Sequence, residues 1–424
     1  MEQKNSLQFI LLVTISSVLL FILTFGVYKV ANAITNGENN SNYFDANTWI
    51  GPIAIDGLSK EQAAQLVSQK TTTWALEQNT SLQFIFEEST FTGDIIDFLI
   101  EESIQQAISG EQNPLLVELN KEKWDASFAK LGLQGYTDLI DEIRLQDDIL
   151  GQASTLQSLA NPIHMTQYFK EPNNDSKLIA SESFTLDETS FGALSWIKKH
   201  DDLEVGTDLL FSLNELFQTD TEGLYNAQFQ NEIASLLYKT ALNSPFSIVE
   251  RHVTTGNQYK REVGFEAFID GNHDLVLKNE YGHSISIQST MEGNKLTISI
   301  YSQASPIEVL ATIDEQKELT PRVIIRPIEL DQQERKVPGK NGTQARVKRV
   351  VLLHDSPWKT YDISLDSYLP VHEVWYKFNE KLLDSSEGNN SGGNNSSVTL
   401  PTTVTEDRGY EEVDPEYGDG YVGK

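Results

Sequence analysis

The chain has 424 residues, with 62 acidic and 32 basic side chains, a formal net charge of −30 and no cysteine. This length predicts two or three globular units plus tails rather than a single small core. The negative charge argues against nucleic acid as a general partner, because phosphate binding needs a basic face. The lack of cysteine excludes disulfides, thiolate zinc sites and thiol nucleophiles.

Residues 1–34 are predicted to form a short cytoplasmic stub and a membrane helix. Phe9–Tyr28 is a run of 20 residues without a charge, which at about 1.5 Å per residue matches the hydrocarbon core of a bilayer. Lys4 before the run and the acidic body after it favour a single pass with the N-terminus inside. The alternative is a secreted protein cleaved at Ala33, since Ala31–Ala33 fits the small-x-small pattern of signal peptides. Both interpretations place the body outside the membrane, and an exported chain without cysteine suits a Gram-positive surface.

Residues 35–48 are polar and rich in asparagine, which predicts a linker before an α+β region over residues 49–205. Ser59, followed three residues later by Gln62, has the pattern of a capping box that opens a helix. Ser81–Glu87 is predicted to be a strand. The order of strand, Gly-Leu-Ser turn, helix, tryptophan and strand resembles the wall-binding-like module that precedes VanW domains in YoaR-type proteins. That resemblance covers Trp49 to about Phe128 and implies contact with peptidoglycan.

Several segments of this α+β region carry the apolar spacing of helices. They are Ile95–Ile108, Trp124–Leu133 and Thr137–Leu150. Ser176–Val205 adds a strand-like LIASESFTL and a helical FGALSWIKKH. The predicted fold class is therefore α+β, in a chain of several domains.

Residues 206–304 contain motifs in the order typical of VanW-like domains. They are FSLNE at Phe211–Glu215, LYKTAL at Leu237–Leu242, IVERH at Ile248–His252 and two closing strands within Lys278–Ser302. The segment resembles a VanW-like domain, and the chain as a whole resembles the YoaR-type extracytoplasmic proteins that carry one.

The cysteine of that family is missing. VanW-like domains carry a G-G-G-x-C-Q sequence before the LYNAAL helix, and counting back from Leu237 places Asn231 at the cysteine and Glu232 at the glutamine. Residues 227–229 stand at the glycines. An asparagine amide cannot ionise to a nucleophile, and losing the glycines removes the close backbone approach that they permit. We expect a degenerate copy of the domain that binds without catalysing a reaction.

The IVERH motif supplies the candidate site residues. Glu250 and His252 are weak catalytic candidates, since histidine can act as an acid or base near neutral pH, and Arg251 is a candidate for binding. The alternative is a structural role. Alternation along a strand puts Glu250 and His252 on one face and Arg251 on the other, where Arg251 would pair with an acidic neighbour such as Glu215.

Asp270–Asp274 copies the start of a calcium loop, but Leu275 and Tyr281 stand where that loop needs glycine and glutamate. We interpret it as a hairpin turn between FEAFID and LVLKN. The seven histidines lack metal-ligand spacing, so neither a metal nor a cofactor is predicted. No G-x-S-x-G elbow occurs, so a hydrolase triad is unsupported.

Residues 305–383 are predicted to form a β-rich module, and residues 384–424 an acidic, disordered tail. The module resembles the C-terminal β module of VanW-like proteins, which implies contact with wall glycans. From Arg322 to Arg349 it carries eight basic residues against three acidic ones, and an anionic polymer would suit such a patch. The alternative is a solvated strand face whose charges prevent edge pairing. The candidate binding residues are Arg322, Arg326, Arg335, Lys336, Lys340, Arg346, Lys348 and Arg349.

Together these features predict a membrane-anchored envelope protein that binds or scaffolds at the peptidoglycan wall. Its partners would be the membrane and a wall polymer, either peptidoglycan or teichoic acid. One alternative is a peptidoglycan-modifying enzyme that uses Glu250, His252 or Glu262 in place of the cysteine. The other is a subunit of a surface assembly, recruited through the acidic tail by another envelope protein.

Overall fold

The computed structural model of the protein has a mixed α+β fold. It describes residues 42–136, 138–170, 173–186, 191–220, 225–256, 261–329 and 332–378. The predicted anchor at 1–34 and the predicted tail at 384–424 lie outside these ranges, as does most of the predicted linker. Within them, no helix is both long and apolar enough to cross a membrane.

The helices and strands have the following bounds. The helices are α1 Lys60–Glu77, α2 Ile100–Gln106, α3 Lys121–Lys130, α4 Glu142–Ser154, α5 Phe191–Lys199, α6 Leu213–Thr219 and α7 Ala227–Leu242. The first strands are β1 Trp49–Ile50, β2 Ile53–Ala54, β3 Asn79–Phe84, β4 Glu87–Thr92, β5 Ile96–Phe98, β6 Gln112–Asn113, β7 Val117–Leu119, β8 Ile163–His164, β9 Asn173–Thr185 and β10 Asp202–Val205. The others are β11 Leu210–Ser212, β12 Phe246–Glu250, β13 Val276–Asn279, β14 Ile285–Glu292, β15 Lys295–Ala304, β16 Ile307–Leu319, β17 Val323–Ile328, β18 Arg335–Val337, β19 Gly342–Leu353, β20 Ser356–Tyr368 and β21 Glu373–Phe378.

Helix α1 begins as predicted. The Ser59 hydroxyl accepts a hydrogen bond from the Gln62 backbone N–H at 3.2 Å, and the Gln62 side chain accepts one from the Ser59 N–H at 3.0 Å. This reciprocal capping box satisfies two N–H groups at the helix start that would otherwise lack partners. Ala63, Val67 and Trp74 form the buried stripe of the helix.

The middle of the first region is less helical than its spacing indicates. Within the predicted helix Ile95–Ile108, Ile96–Phe98 form strand β5, and only Ile100–Gln106 form helix α2. β5 pairs with β7, and the Ser103 hydroxyl donates to the Leu99 carbonyl at 2.7 Å near the helix start. Non-local pairing overrides the local apolar spacing here, since a helical pattern cannot reveal a strand partner supplied later in the chain.

The central region combines a four-stranded sheet, in the order β10-β14-β15-β9, with a three-stranded sheet, β11-β13-β12. The predicted closing strands are confirmed as β14 and β15. They pair from Ser286 opposite Tyr301 to Glu292 opposite Lys295, which leaves a two-residue turn. Gly293, the first residue of that turn, has φ +57°, a conformation that glycine adopts without steric cost.

The described residues divide into two units. The first runs to Thr320 and includes Asn341–Val371; the second comprises Pro321–Lys340 and the residues from His372 onward. The first unit holds the main apolar core and the long antiparallel sheet β16-β19-β20. The second holds a small sheet in which β21 pairs in parallel with β17 and antiparallel with β18.

Candidate functional site

Helix α7 forms the base of the candidate site and contains the LYKTAL motif. The Asn226 side chain caps it by accepting a hydrogen bond from the Phe229 N–H at 2.8 Å. Twelve of its sixteen residues are buried. A helix buried on nearly every side belongs to the interior of a domain rather than to its surface. Its polar side chains must therefore find partners within the protein.

Asn231 is one of these buried polar residues, at 1% exposure. Its amide oxygen accepts from the Ile269 N–H at 2.8 Å, and its amide nitrogen donates to the Ile269 carbonyl at 3.1 Å. One turn later, the Ser235 hydroxyl accepts from the Ala267 N–H at 3.0 Å and donates to the Ala267 carbonyl at 3.2 Å. Residues four apart on a helix lie on one face, while residues two apart on an extended chain point the same way. These two side chains thus bind the extended segment Phe265–Ile269 as a neighbouring strand would.

This arrangement changes the interpretation of the Asp270–Asp274 turn. A turn is present, because the Asp270 side chain accepts hydrogen bonds from the Asn272 and His273 backbone N–H groups at 2.8 and 2.9 Å. Its flanks do not form the predicted hairpin. The residues before the turn bind the side chains of α7, and β13 after it pairs with β11 and β12. Partial burial alone would raise the pKa of Asp270, but the hydrogen bonds from the N–H groups of Asn272 and His273 lower it.

Arg251 lies in a buried ion pair. Its guanidinium makes two hydrogen bonds to the Asp366 carboxylate, at 2.6 and 2.7 Å, and its Nε donates to the Glu266 carbonyl at 2.6 Å. The side chain is 9% exposed and lies over the Tyr238 ring at 4.6 Å. Its partner is Asp366 rather than Glu215, and it is not accessible to an external polymer. The pair joins the IVERH motif to strand β20.

Two other charged groups are buried beside this pair. The Glu266 side chain accepts a hydrogen bond from the Thr254 hydroxyl at 2.7 Å, and burial raises the pKa of its carboxyl. Arg349 donates to the carbonyls of Phe246 and Ala241 at 2.9 and 3.3 Å, and burial lowers its pKa to about 10. These contacts give Arg349 a structural role at the C-terminal end of α7, where carbonyl groups lack helical partners.

Glu250 and His252 lie together on the opposite side of the strand, as alternation predicts. His252 Nε2 is 2.9 Å from Glu250 Oε1, which also accepts a hydrogen bond from the Asp274 N–H at 3.0 Å. The His252 and His273 rings meet edge to face at 4.5 Å between centroids, and His273 Nδ1 is 2.9 Å from Asp270 Oδ1. The four side chains are 32–42% exposed. The structure therefore brings together two histidine–carboxylate pairs.

The two histidine–carboxylate pairs contain the groups from which a general base is built, but the described part of the chain shows no hydroxyl nucleophile beside them. Among the described residues, no serine or threonine hydroxyl hydrogen-bonds to His252 or His273. A histidine general base needs the proton it removes within hydrogen-bond reach. The described residues therefore place no hydroxyl of this chain where His252 or His273 would activate it.

Residues 231–301 match the family model described as VanW like protein. The resemblance is confirmed: this segment is VanW-like. It lies inside the predicted range 206–304 and includes Asn231, Arg251 and His252. No curated protein matches the chain.

Two solved structures are similar to part of the chain. "IgA1 Protease G5 domain structure" is 14% identical over 17% of this chain and 92% of that chain, with a TM-score of 0.15. "Crystal structure of HP0197-G5" is 16% identical over 17% of this chain and 99% of that chain, with a TM-score of 0.13. At TM-scores this low, neither likeness supports an inference about fold or function.

The eight basic residues beyond the VanW-like segment do not fall in one unit. Arg346, Lys348 and Arg349 belong to the first unit, and the other five belong to the second. Arg349 is 2% exposed and occupies an inward position of β19, so it cannot join a surface patch. Lys348 lies 2.9 Å from Asp314, and Arg346 lies 4.0 Å from Glu315 on the neighbouring strand.

In the second unit the five basic residues are exposed. Lys336 pairs with Glu373 at 3.0 Å, and the Arg335 guanidinium lies over the Tyr376 ring at 4.3 Å. Arg322, Arg326 and Lys340 form no salt bridge with a described carboxylate.

Four residues around the IVERH motif are not among the predicted site residues: Asp366, Glu266, Asp270 and His273. Asp366 lies 115 residues after Arg251 in the chain, and no local pattern indicates such a partner. The pairing of Asp270 with His273, by contrast, could have been predicted from the sequence. The D-G-N-H-D segment is predicted only to be a hairpin turn, whereas its aspartate and histidine three residues apart also favour a hydrogen-bonded pair.

Proposed function

We propose that this protein binds a polymer of the bacterial cell wall at the envelope and does not chemically modify it. The VanW-like segment carries the proposal, because resemblance to that family implies an extracytoplasmic, wall-associated protein. The match at residues 231–301 includes the LYKTAL and IVERH motifs and nearly all of the closing strands, while the FSLNE motif at Phe211–Glu215 lies before it.

The contacts of Asn231 support binding rather than catalysis. The residue at the position of the family's cysteine holds the Phe265–Ile269 segment through both atoms of its amide. A thiol is a weak hydrogen-bond donor and acceptor and could not replace both bonds equally. Residue 231 thus has a structural use here that does not require a nucleophile.

The exposed cations Arg322, Arg326 and Lys340 support an anionic wall polymer as one ligand. Charges on a small sheet raise the local concentration of a polyanion, and the effect falls with ionic strength. Peptidoglycan is the other proposed ligand, as the predicted N-terminal wall-binding-like module implies.

We also propose that residues 1–34 form a single-pass anchor that leaves the body outside the membrane. The body would consist of three segments, residues 49–205, 206–304 and 305–383. The competing form is a secreted protein cleaved after Ala33. Mass spectrometry of the N-terminal peptide from the native host distinguishes them. An intact peptide containing residues before Ala33 supports the anchor, and a new terminus at Ile34 contradicts it.

The direct experiment is co-sedimentation of the full-length chain with purified wall sacculi, with and without their anionic polymers. Binding that is lost on stripping the polymers and weakened by salt would identify the anionic polymer as the ligand. Binding to stripped sacculi would identify peptidoglycan. If the chain stays in solution with both, the proposal is wrong.

A peptidoglycan-modifying enzyme is the second candidate, favoured by the 2.9 Å contact between His252 and Glu250. Glu250→Gln and His252→Gln should leave muropeptide release unchanged if the protein only binds. A loss of release in both variants, with the fold intact, would support the enzyme. A surface-assembly role predicts instead that deleting residues 385–424 abolishes co-purification of a partner and spares wall binding.

A further inference from the structure

One face of the four-stranded sheet β10-β14-β15-β9 is polar. Along β14 and β15 the side chains alternate, with Ile285, Ile287, Ile298 and Ile300 buried and serine, glutamine, threonine and tyrosine on the other face. Alternation in a strand places residues two apart on the same side. A sheet with one apolar face packed on the core usually exposes its polar face to solvent, so the polarity alone does not indicate a ligand.

The register places complementary groups together on this face. Glu204 of β10 lies opposite Ser286, which lies opposite Tyr301 of β15. One row further, Asp202 lies opposite Gln288. With strands about 4.8 Å apart, the backbone of Glu204 lies roughly 10 Å from that of Tyr301, and Asp202 lies two residues further along β10. The Ser286 hydroxyl donates to Asp202 at 2.6 Å, which fixes one carboxylate and leaves its other oxygen available as an acceptor.

Asp202, Glu204, Ser286 and Tyr301 line a pocket with a volume of about 420 Å³, within the range typical of small-molecule sites. His283, Ser286 and Tyr301 line it from the VanW-like segment, and Asp202 and Glu204 line it from β10. The lining residues supply hydroxyl and amide donors, carboxylate acceptors and an aromatic ring. Among the described residues, no lysine or arginine lines the pocket.

His283 is held in place by a backbone conformation that only glycine accommodates. Gly282 has φ +82°, and a Cβ there would lie 2.6 Å from the Cβ of His164. Burial lowers the pKa of His283, whose Nε2 lies 3.3 Å from the Thr166 carbonyl. This shift favours the uncharged imidazole, so the histidine offers the pocket a neutral polar side chain.

We infer that this pocket binds an uncharged sugar unit of a glycan chain, through hydroxyl groups donated to Asp202 and Glu204 and an apolar ring face placed against Tyr301. Hydroxyl–carboxylate hydrogen bonds are among the stronger neutral–ionic contacts, and an aromatic ring supplies a rigid apolar surface with a polar edge. The inference rests on the proposed wall-binding function and makes it specific. The pocket would take the glycan of peptidoglycan and reject phosphate-bearing polymers, which its carboxylates repel.

The test uses the full-length chain and chitotetraose, an uncharged oligomer of N-acetylglucosamine, in isothermal titration calorimetry. Asp202→Asn, Glu204→Gln and Tyr301→Ala should each weaken binding at least tenfold. Glu292→Gln is the matched control. It removes the same charge from the same face of β14, about six residues or 20 Å from Ser286, and should change the affinity less than twofold.

The outcomes separate this inference from the wall-binding proposal. Chitotetraose binding that responds to the three pocket variants and not to Glu292→Gln supports the pocket, whatever the sacculi experiment gives. If the chain binds sacculi but the pocket variants bind chitotetraose as the unaltered chain does, the pocket assignment is overturned and wall binding stands. Absence of chitotetraose binding also overturns it. So does binding of lysine in place of the sugar with the same variant dependence, since that result would identify an ammonium site.

Discussion

The buried pair of Arg251 and Asp366 gives the sharpest quantitative prediction. Arg251→Met removes the cation, both hydrogen bonds to Asp366 and the bond to the Glu266 carbonyl. It leaves the Asp366 carboxylate, which is 4% exposed, without its countercharge. Breaking a buried ion pair by removing one partner costs about 3–5 kcal/mol, so we expect a loss of that size in the free energy of unfolding.

The reverse single variant, Asp366→Leu, should cost a similar amount, because it strands the guanidinium of Arg251. The double variant, Arg251→Met with Asp366→Leu, should be less destabilised than the sum of the two. The reason is that neither charge then remains buried and unpaired. The expected coupling is on the order of 1–3 kcal/mol. The measurement is guanidinium denaturation followed by tryptophan fluorescence and circular dichroism, with all four proteins compared under one set of conditions.

Lys348→Met is the matched control, since it breaks the pair of Lys348 with Asp314 in the same unit. Exposed pairs contribute little to stability because water and salt screen them. The reasoning about Arg251 is refuted if Arg251→Met destabilises the protein no more than this control does. It is also refuted if the double-mutant cycle shows no coupling.

Three other substitutions test single contacts. Asn231→Ala should lower the free energy of unfolding by about 2 kcal/mol or more, because both the N–H and the carbonyl of Ile269 lose their partner in the interior; an unchanged denaturation midpoint would contradict this. Glu266→Gln should raise the melting temperature at neutral pH. Burial raises the pKa of the Glu266 carboxyl in the folded state, so the ionised form destabilises the fold above that pKa and the gain should shrink as the pH falls through it. Asp220→Asn should be destabilising at neutral pH, because hydrogen bonds from Lys199 and Tyr225 hold the pKa of Asp220 well below its usual range. That stability is present above the unfolded-state pKa of about 3.9 and is lost as the pH falls toward the folded-state value, so the two melting curves should converge in acid.

Local patterns predicted the elements that depend on neighbours in the sequence. The capping box at Ser59 and the hairpin around Gly293 are such cases, since their hydrogen bonds join residues a few positions apart. The same holds for the opposite orientation of Arg251 relative to Glu250 and His252, which follows from strand alternation. In each case the geometry of one element fixes the outcome.

Partners that lie far apart in the sequence were not predictable in this way. Arg251 pairs with Asp366 because β20 packs against the IVERH motif. The sequence around Glu215, the expected partner, does not show that Arg251 would pair elsewhere. Residues before the Asp270 turn looked like a hairpin strand, but helix α7 supplies their hydrogen bonds through Asn231 and Ser235. The polar face that lines the pocket could not be predicted without knowing that β10 pairs with β14. The short sequence Asp202–Val205 does not specify which strand it pairs with.

The basic run from Arg322 to Arg349 illustrates the same limit. A linear count treats it as one patch, but the chain passes from the first unit to the second after Thr320 and returns at Asn341. Arg349 then takes an inward position on β19 because the alternation of that strand requires it. Charge counting along a sequence cannot distinguish an exposed cation from one that bonds to buried carbonyls.

The measurement that tests the central claim most directly combines binding and turnover in one sample. The full-length chain is incubated with radiolabelled sacculi, and both the sedimented protein and the soluble muropeptides are measured over time. Binding without modification predicts saturable sedimentation, with muropeptide release no greater than in a sample lacking the protein. Release that increases with protein concentration and is lost in His252→Gln would contradict the account, as would the absence of sedimentation.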